Sequence, residues 1–230
     1  MIDHTLLRAD AIGAEVDQLC DEALTFGFRT VCVQPIFVAR ASRRLTSTGT
    51  GASGPRAVGV TAVVGFPQGA NTTEAKLFET GRALADGATE IDMVANLGWI
   101  RGGDDRAVSS EVARIVALAS AAGATVKVIL ETALFSDELK EAAAHAAITG
   151  GAAFVKTSTG FGPSGATVHD VALLRRVVGA SLGVKASGGV KTRAQALALV
   201  AAGANRLGAS GSITLVTVEQ EARGGEGRDR

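Results

Sequence analysis

The sequence has no tyrosine, one tryptophan and eight phenylalanines in 230 residues. So few aromatic platforms leave little on which bases could stack, which argues against a single-stranded nucleic-acid binder. An excess of charge is also missing: 23 Lys+Arg face 23 Asp+Glu, so 23 − 23 = 0 with the three histidines neutral. A nucleic-acid or membrane-surface binder would need a basic excess or stripe. Cys20 and Cys32 are too few for a disulfide scaffold and lack C-x-x-C spacing, which fits a reducing compartment. The most apolar stretch, Ile115 to Leu130, is broken by Ser120, Thr125 and Lys127, short of the roughly 18 uninterrupted apolar residues of a membrane span. The start, Met1-Ile-Asp-His4, has no basic region followed by an apolar run, unlike a signal peptide. His4, His145 and His169 lie far apart with no H-x-H or H-E-x-x-H spacing, so no metal site is expected. A cytoplasmic protein with no nucleic-acid partner and no membrane association is the expectation.

What is present is a globular composition, 47% apolar and 20% charged, with 29 glycines against four prolines. Short Val- and Ile-rich runs alternate with Ala-rich stretches of helical period, the pattern of βα units around a parallel sheet. Eight strands are predicted: Ile2 to Thr5, Thr30 to Val33, Val58 to Val64, Glu90 to Val94, Thr125 to Glu131, Phe154 to Thr157, Gly183 to Ala186 and Arg206 to Gly208. Helices are predicted to begin near Ala14, Ile36, Thr73, Ala107, Asp137, Val168 and Thr192, with a short one after Ser210. Ser136 reads as a helix N-cap, and Gly87, Gly123, Gly150 and Gly203 sit where helices should stop. Eight units in 230 residues average 230/8, about 29 residues each, close to the roughly 250-residue (β/α)8 TIM barrel. No linker divides the chain, so a single α/β domain over residues 1–221 is expected, with a disordered Gly-rich tail at 222–230.

Strand parity then locates the polar groups, since alternate residues face the helices and the barrel interior. Ile91, Met93 and Ala95 suit the helix side, so Glu90, Asp92 and Asn96 should point inward. Val126, Val128 and Leu130 likewise leave Lys127 and Glu131 inside, and the same reading places Lys156 and Lys185 there. The spacings agree, 156 − 127 = 29 and 185 − 156 = 29, which suggests similar heights on adjacent strands. Burying ammonium groups without compensation costs several kcal/mol, so such a cluster needs a reason. One reading is a catalytic amine: Lys156, on the middle strand, is flanked by two cations that lower its pKa and leave a neutral nucleophile near pH 7. Asp92 could then move protons. The other reading pairs Lys127 with Glu131 and Lys185 with Asp92 as ion pairs that only set packing.

The loops after strands seven and eight of such a barrel often hold phosphate on backbone N–H groups. Here they are Ser187-Gly-Gly189 and Gly208-Ala-Ser-Gly-Ser212, with Thr157-Ser-Thr-Gly-Phe-Gly162 able to add donors. A literal G-x-G-x-x-G at Gly49-Thr-Gly-Ala-Ser-Gly54 follows a predicted helix and runs into Pro55, the wrong context for a dinucleotide site. Cys32, near the end of the second strand, could face the site, though a lone cysteine is more often a small core residue.

Several motifs together carry a resemblance. They are Ile2-Asp-His-Thr-Leu-Leu7, Val31-Cys-Val, Val64-Gly-Phe-Pro67, Asn71-Thr-Thr-Glu-Ala-Lys76, Glu90-Ile-Asp-Met-Val94, Lys127-Val-Ile-Leu-Glu131, Phe154-Val-Lys-Thr-Ser-Thr-Gly160, Val184-Lys-Ala-Ser-Gly-Gly189 and Arg206-Leu-Gly-Ala-Ser210. The chain resembles the deoxyribose-phosphate aldolase family, class I aldolases of (β/α)8 type, over almost everything except the tail. The resemblance implies that Lys156 forms a Schiff base and that Asp92 and Lys185 relay protons. It implies reversible cleavage of 2-deoxy-D-ribose 5-phosphate to D-glyceraldehyde 3-phosphate and acetaldehyde, with no metal or organic cofactor. The partners implied are the small sugar phosphate and aldehydes, and a homodimer stays open. Gly188, Gly189 and Ser210 are the phosphate candidates, with Gly160 and Lys127 as further substrate-binding residues. Three departures stand out: Ala95 for a larger apolar residue, Gly211 for a serine, and no tyrosine in the tail, where some members use one in proton transfer. Two other readings remain, a different lysine-dependent barrel aldolase and a phosphosugar-binding barrel without catalysis.

Overall fold

The computed structural model describes residues 1–47 and 57–217. The glycine motif at 49–54, the domain end at 221 and the expected tail at 222–230 lie outside the described residues.

Eight strands form: β1 (Ile2–Leu6), β2 (Thr30–Val33), β3 (Gly59–Val64), β4 (Glu90–Val94), β5 (Thr125–Ile129), β6 (Phe154–Lys156), β7 (Gly183–Ser187) and β8 (Arg206–Ala209). Each pairs in parallel with the next and β8 pairs with β1, closing the barrel expected from the alternating pattern. Among the described residues nine α-helices surround it: α1 (Gly13–Phe26), α2 (Val38–Ser47), α3 (Thr73–Ala85), α4 (Leu97–Gly102), α5 (Asp105–Ala121), α6 (Asp137–Thr149), α7 (Val168–Val178), α8 (Arg193–Ala201) and α9 (Ser212–Val216). Helix α4 escapes the sequence reading because Leu-Gly-Trp-Ile-Arg-Gly carries two glycines, each about 1 kcal/mol worse than alanine inside a helix. It forms because the Asn96 side chain caps it, accepting a hydrogen bond from Trp99 N at 3.2 Å. Asn96, expected in the lumen, is thus a cap at the end of β4, since strand alternation stops at Val94.

Side chains Thr72, Asp104, Thr167 and Thr192 cap α3, α5, α7 and α8 by accepting the N–H three residues on, filling donors a helix start leaves open. Ser136 occupies the N-cap position of α6 without such a bond. At the end of α6 the left-handed residue is Gly151 (φ 80°) rather than Gly150. Gly150 is required for a different reason, because a Cβ there would stand 2.5 Å from Val112.

The main core lies between sheet and helices. Ile91, Met93 and Ala95 of one stretch, and Val126, Val128 and Leu130 of the next, all join it as parity requires. The inward residues on those strands are therefore the polar ones. The ladder corrects one expectation about their heights. Lys156 is level with Lys185, but Lys127 stands opposite Phe154, two residues before Lys156. Equal spacings of 29 conceal this, because closing a barrel staggers its strands.

Candidate active site

Inside the barrel the alternation gathers four cations and three carboxylates. Asp3 comes from β1, Glu90 and Asp92 from β4, Lys127 from β5, Lys156 from β6, Lys185 from β7 and Arg206 from β8. All seven are buried. Arg206 Nη1 donates to Asp3 Oδ1 at 2.6 Å and to Glu90 Oε2 at 3.0 Å, and its guanidinium also lies over the Phe154 ring, 5.3 Å from the centroid. Lys127 Nζ sits 2.5 Å from Glu90 and 2.8 Å from Asp92 Oδ1. Lys185 Nζ donates to Asp3 at 2.5 Å and to Asp92 Oδ2 at 2.7 Å, and Lys156 Nζ reaches the same Oδ2 at 2.7 Å. Asp92 therefore binds all three lysines, and the Lys127–Glu131 pair considered from the sequence does not form.

With every group ionised this cluster would hold 4 − 3 = 1 surplus positive charge. Low-dielectric surroundings make an uncompensated charge costly, so one cation is favoured to give up its proton. The directions single out which. Burial opposes the charged form of Lys185, but Asp3 and Asp92 outweigh it and raise its pKa; Asp92 does the same for Lys127, and Asp3 and Glu90 for Arg206. Burial pushes the Lys156 ammonium down, and repulsion from Lys185 adds to burial against the pull of Asp92, leaving a lowered value. Burial would raise the carboxyl of Asp3, yet Lys185, Lys127 and Arg206 bring it down to about 2, and the three lysines hold Asp92 well below the carboxylate range.

Above this layer, at the C-terminal ends of the strands, lies a cavity of about 250 Å³. Of the four cations of the lumen cluster only Lys156 reaches its wall. Gly160, Gly188, Gly189 and Ser210, the glycine-loop residues picked from sequence, line this same cavity. Gly188 (φ 84°) and Gly189 (φ 72°) both take left-handed backbone, and Gly165 approaches so closely that a Cβ on it would stand 2.0 Å from the Gly188 carbonyl oxygen. Lys127, the further substrate-binding candidate, does not line this cavity; its nitrogen is held between Glu90 and Asp92.

Arg8 and Lys191 also line the cavity, a feature the sequence reading missed; Arg8 is paired with Asp10 and Glu15, so Lys191 is the one that brings positive charge to the rim. Asp3 and Arg206 were missed as well. Parity on β1 and β8 was the available signal, as each polar residue alternates there with residues of the outer core such as Leu207. One flank of the lumen is apolar: Leu7, Cys32 and Val63 form a small cluster with Phe66 packed against it. The Cys32 thiol faces the ionic layer, and burial raises its pKa.

A larger hollow of about 870 Å³ opens at the opposite end of the barrel, beside Met1, Phe28, Arg29 and Val58. It contains none of the ionic cluster, so the chemistry belongs to the smaller cavity. Elsewhere, Asp137, His169 and Asp170 bring three ligand-type atoms within 4.8 Å, but the Lys140 ammonium already bonds both carboxylates, at 3.0 and 2.7 Å. His145 is exposed on α6.

Residues 1–220 match the family described as DeoC/LacD family aldolase. A deoxyribose-phosphate aldolase of Thermoanaerobacter sp. (strain X514) is 48% identical over 217 residues, 94% of each chain. One from Bacillus subtilis (strain 168) is 46% identical over 224 residues, 97% of this chain and 96% of the relative. Among solved structures, the tetrameric deoxyribose phosphate aldolase from Aeropyrum pernix superposes with a TM-score of 0.85 at 36% identity, covering 93% of this chain and 87% of that one.

Proposed function

The chain belongs to the DeoC/LacD family of aldolases, and from that premise we propose that it reversibly cleaves 2-deoxy-D-ribose 5-phosphate to D-glyceraldehyde 3-phosphate and acetaldehyde through a Schiff base on Lys156. One observation carries the assignment of the nucleophile: among the four cations of the lumen cluster, Lys156 alone reaches the cavity, and its pKa is the one pushed down. A cluster that served packing alone would have no need to present one weakly held proton to an open cavity.

The neutral amine adds to the C1 aldehyde of the open-chain sugar, and loss of water gives a protonated imine. Acetaldehyde carries away two carbons, so the bond that breaks lies between C2 and C3. Its electron pair flows into the imine to form an enamine, while the C3 hydroxyl loses its proton and becomes the aldehyde of the three-carbon product. Protonation at C2 and hydrolysis then release acetaldehyde and regenerate the amine. The imine is itself the electron sink, so the sequence of steps calls for no metal or organic cofactor.

Asp92 and Lys185 are proposed to carry the protons. Asp92 Oδ2 lies 2.7 Å from both Lys156 Nζ and Lys185 Nζ, which makes this oxygen the shortest link between them. Backbone of Gly188 and Gly189, with Ser210 and Gly160, is proposed to hold the phosphate, and the Lys191 ammonium at the rim supports an anionic substrate. These small molecules are the proposed partners. For assembly a homodimer is proposed as the smallest associated state, the tetrameric Aeropyrum pernix relative being the support. Solution mass would show a monomer if that is wrong. A reducing, cytoplasmic setting is proposed from the two free thiols, both buried. No helix among the described residues is long and apolar enough to cross a membrane.

Borohydride reduction in the presence of acetaldehyde tests the mechanism. A reduced two-carbon adduct on the peptide containing Lys156 is expected, and an active enzyme that yields no adduct would overturn the Schiff-base reading.

A further inference from the structure

Among the described residues Glu131 alone, glycines apart, holds a left-handed backbone (φ 51°, ψ 58°). Side chains other than glycine's resist this region, and outliers of this kind cluster where surrounding structure enforces them for a function. Glu131 lies just past the end of β5, and its carboxylate is buried with 2% exposure. Its Oε2 accepts two hydrogen bonds from Thr159, one from the backbone N–H at 3.2 Å and one from the hydroxyl. The same Thr159 hydroxyl oxygen accepts the N–H of Phe161 at 3.0 Å. Two consecutive hydrogen bonds thus run from a strained, buried acid to the backbone of Phe161.

Phe161 is half exposed and lines the cavity that contains Lys156. Its ring meets Phe66 edge-on, with centroids 5.4 Å apart and planes at 90°. Phe66 follows β3 and Phe161 follows β6, so the ring pair spans the part of the mouth that belongs to β4 and β5. Phe66 also rests on the apolar flank of Leu7, Cys32 and Val63. Leu7 of that flank lines the same cavity as Lys156 and the glycine loops after β7 and β8. A donor fragment carried on Lys156 would occupy the same cavity that Phe161 lines.

We propose that Glu131 is a positioning residue that fixes Phe161 against Phe66, and that this aromatic pair limits the size of the donor aldehyde attached to Lys156. The inference rests on the Schiff-base reading above. Phe161 is the specificity-determining wall, and Glu131 acts on selectivity only through Thr159 and Phe161.

The test compares propanal with acetaldehyde as donors to D-glyceraldehyde 3-phosphate, using the full chain and taking the ratio of their kcat/KM values. One methylene in an apolar pocket is worth about 10- to 200-fold, so Phe161→Ala should raise the propanal ratio at least about tenfold. Glu131→Ala and Thr159→Val should move it in the same direction, and Glu131→Gln, which keeps an acceptor for Thr159, should restore it toward the parent. Glu131→Ala combined with Phe161→Ala should go no further than Phe161→Ala alone. Should Glu131→Ala fail to fold, judged by circular dichroism, the Thr159→Val and Thr159→Val/Phe161→Ala pair answers the same question. A ratio that Phe161→Ala leaves unchanged, or effects that multiply in the double variant, overturns the proposal while borohydride trapping on Lys156 persists. If the parent itself traps no acetaldehyde, the Schiff-base reading fails and takes this inference with it.

Discussion

Lys156 and Lys185 stand opposite each other in the β6–β7 ladder, and both nitrogens end 2.7 Å from a single oxygen, Asp92 Oδ2. Two like charges on one acceptor are not equivalent here, because Lys185 has a second carboxylate, Asp3, and Lys156 has none. Asymmetry in the partners thus becomes asymmetry in proton affinity. The lysine with fewer partners is the one that faces the cavity.

Replacing Lys156 by methionine should separate catalysis from stability. Activity is expected to fall on the order of a thousandfold or more, as losses of a covalent nucleophile do, and borohydride trapping should disappear. The remaining cluster then holds three cations and three carboxylates, with Asp92 still bonded to Lys127 and Lys185. Urea unfolding is therefore expected to show no loss of stability, and a clear loss would mean that Lys156 serves as a structural ion pair.

The three lysines, the two glycine loops and the eight strands were legible because each depends on a local pattern. Alternation assigns a face to every residue of a strand, and an inward lysine is conspicuous where Val, Ile and Leu are expected. Asp3 and Arg206 obey the same rule but sit on the first and last strands, whose pairing is visible only once the barrel is closed. The relative heights of Lys127 and Lys156 were hidden for a related reason: register depends on the stagger of the whole barrel. Glu131 was read correctly as buried, but its turn into left-handed backbone breaks the parity that had assigned it a partner. Its true partner, Thr159, is fixed by tertiary contact across 28 residues.

Acid should expose the contribution of Asp3. Its carboxyl falls from an ordinary 3.8 to about 2 in the folded chain, because its three cationic neighbours outweigh burial. For a carboxyl depressed on folding, the unfolded chain binds more protons across that interval, so the stabilisation is full above pH 3.8 and is lost as pH falls toward 2. Asp3→Asn is expected to be less stable than the parent at pH 6, with a gap that narrows as pH is lowered through this window. Chemical unfolding at a series of pH values measures it, and a gap independent of pH would contradict the assignment.

A second buried pair makes a purely structural prediction. Lys76 on α3 donates to Glu111 on α5 at 2.9 Å and to the Val94 carbonyl at the end of β4, also at 2.9 Å, and both side chains are fully buried. Removing one partner strands a charge, which typically costs about 3–5 kcal/mol, whereas replacing both with apolar groups of similar volume is often neutral. Lys76→Met should therefore destabilise by that order. Lys76→Met with Glu111→Leu should recover much of the loss, except for the Val94 carbonyl and the Thr73 hydroxyl that Glu111 also engages. Thermal unfolding of the single and double variants gives the comparison.

The proposed phosphate loop allows the sharpest separation of binding from chemistry, because Gly188 combines two constraints at one position. Its φ of 84° disfavours any side chain, and an added Cβ would stand 3.0 Å from the Cα of Gly165. Gly188→Ala should therefore shift the backbone that lines the cavity and cost about 1 kcal/mol of stability or more. If that backbone holds the phosphate, KM for 2-deoxy-D-ribose 5-phosphate should rise on the order of tenfold, the equivalent of roughly 1.4 kcal/mol of lost binding. Unphosphorylated 2-deoxyribose places nothing in the loop, so its kcat/KM should change far less. Lys156 lies on β6, outside the altered loop, and borohydride trapping with acetaldehyde should be retained. Equal losses for the two sugars would move the phosphate site away from Gly188, toward the Lys191 side of the rim.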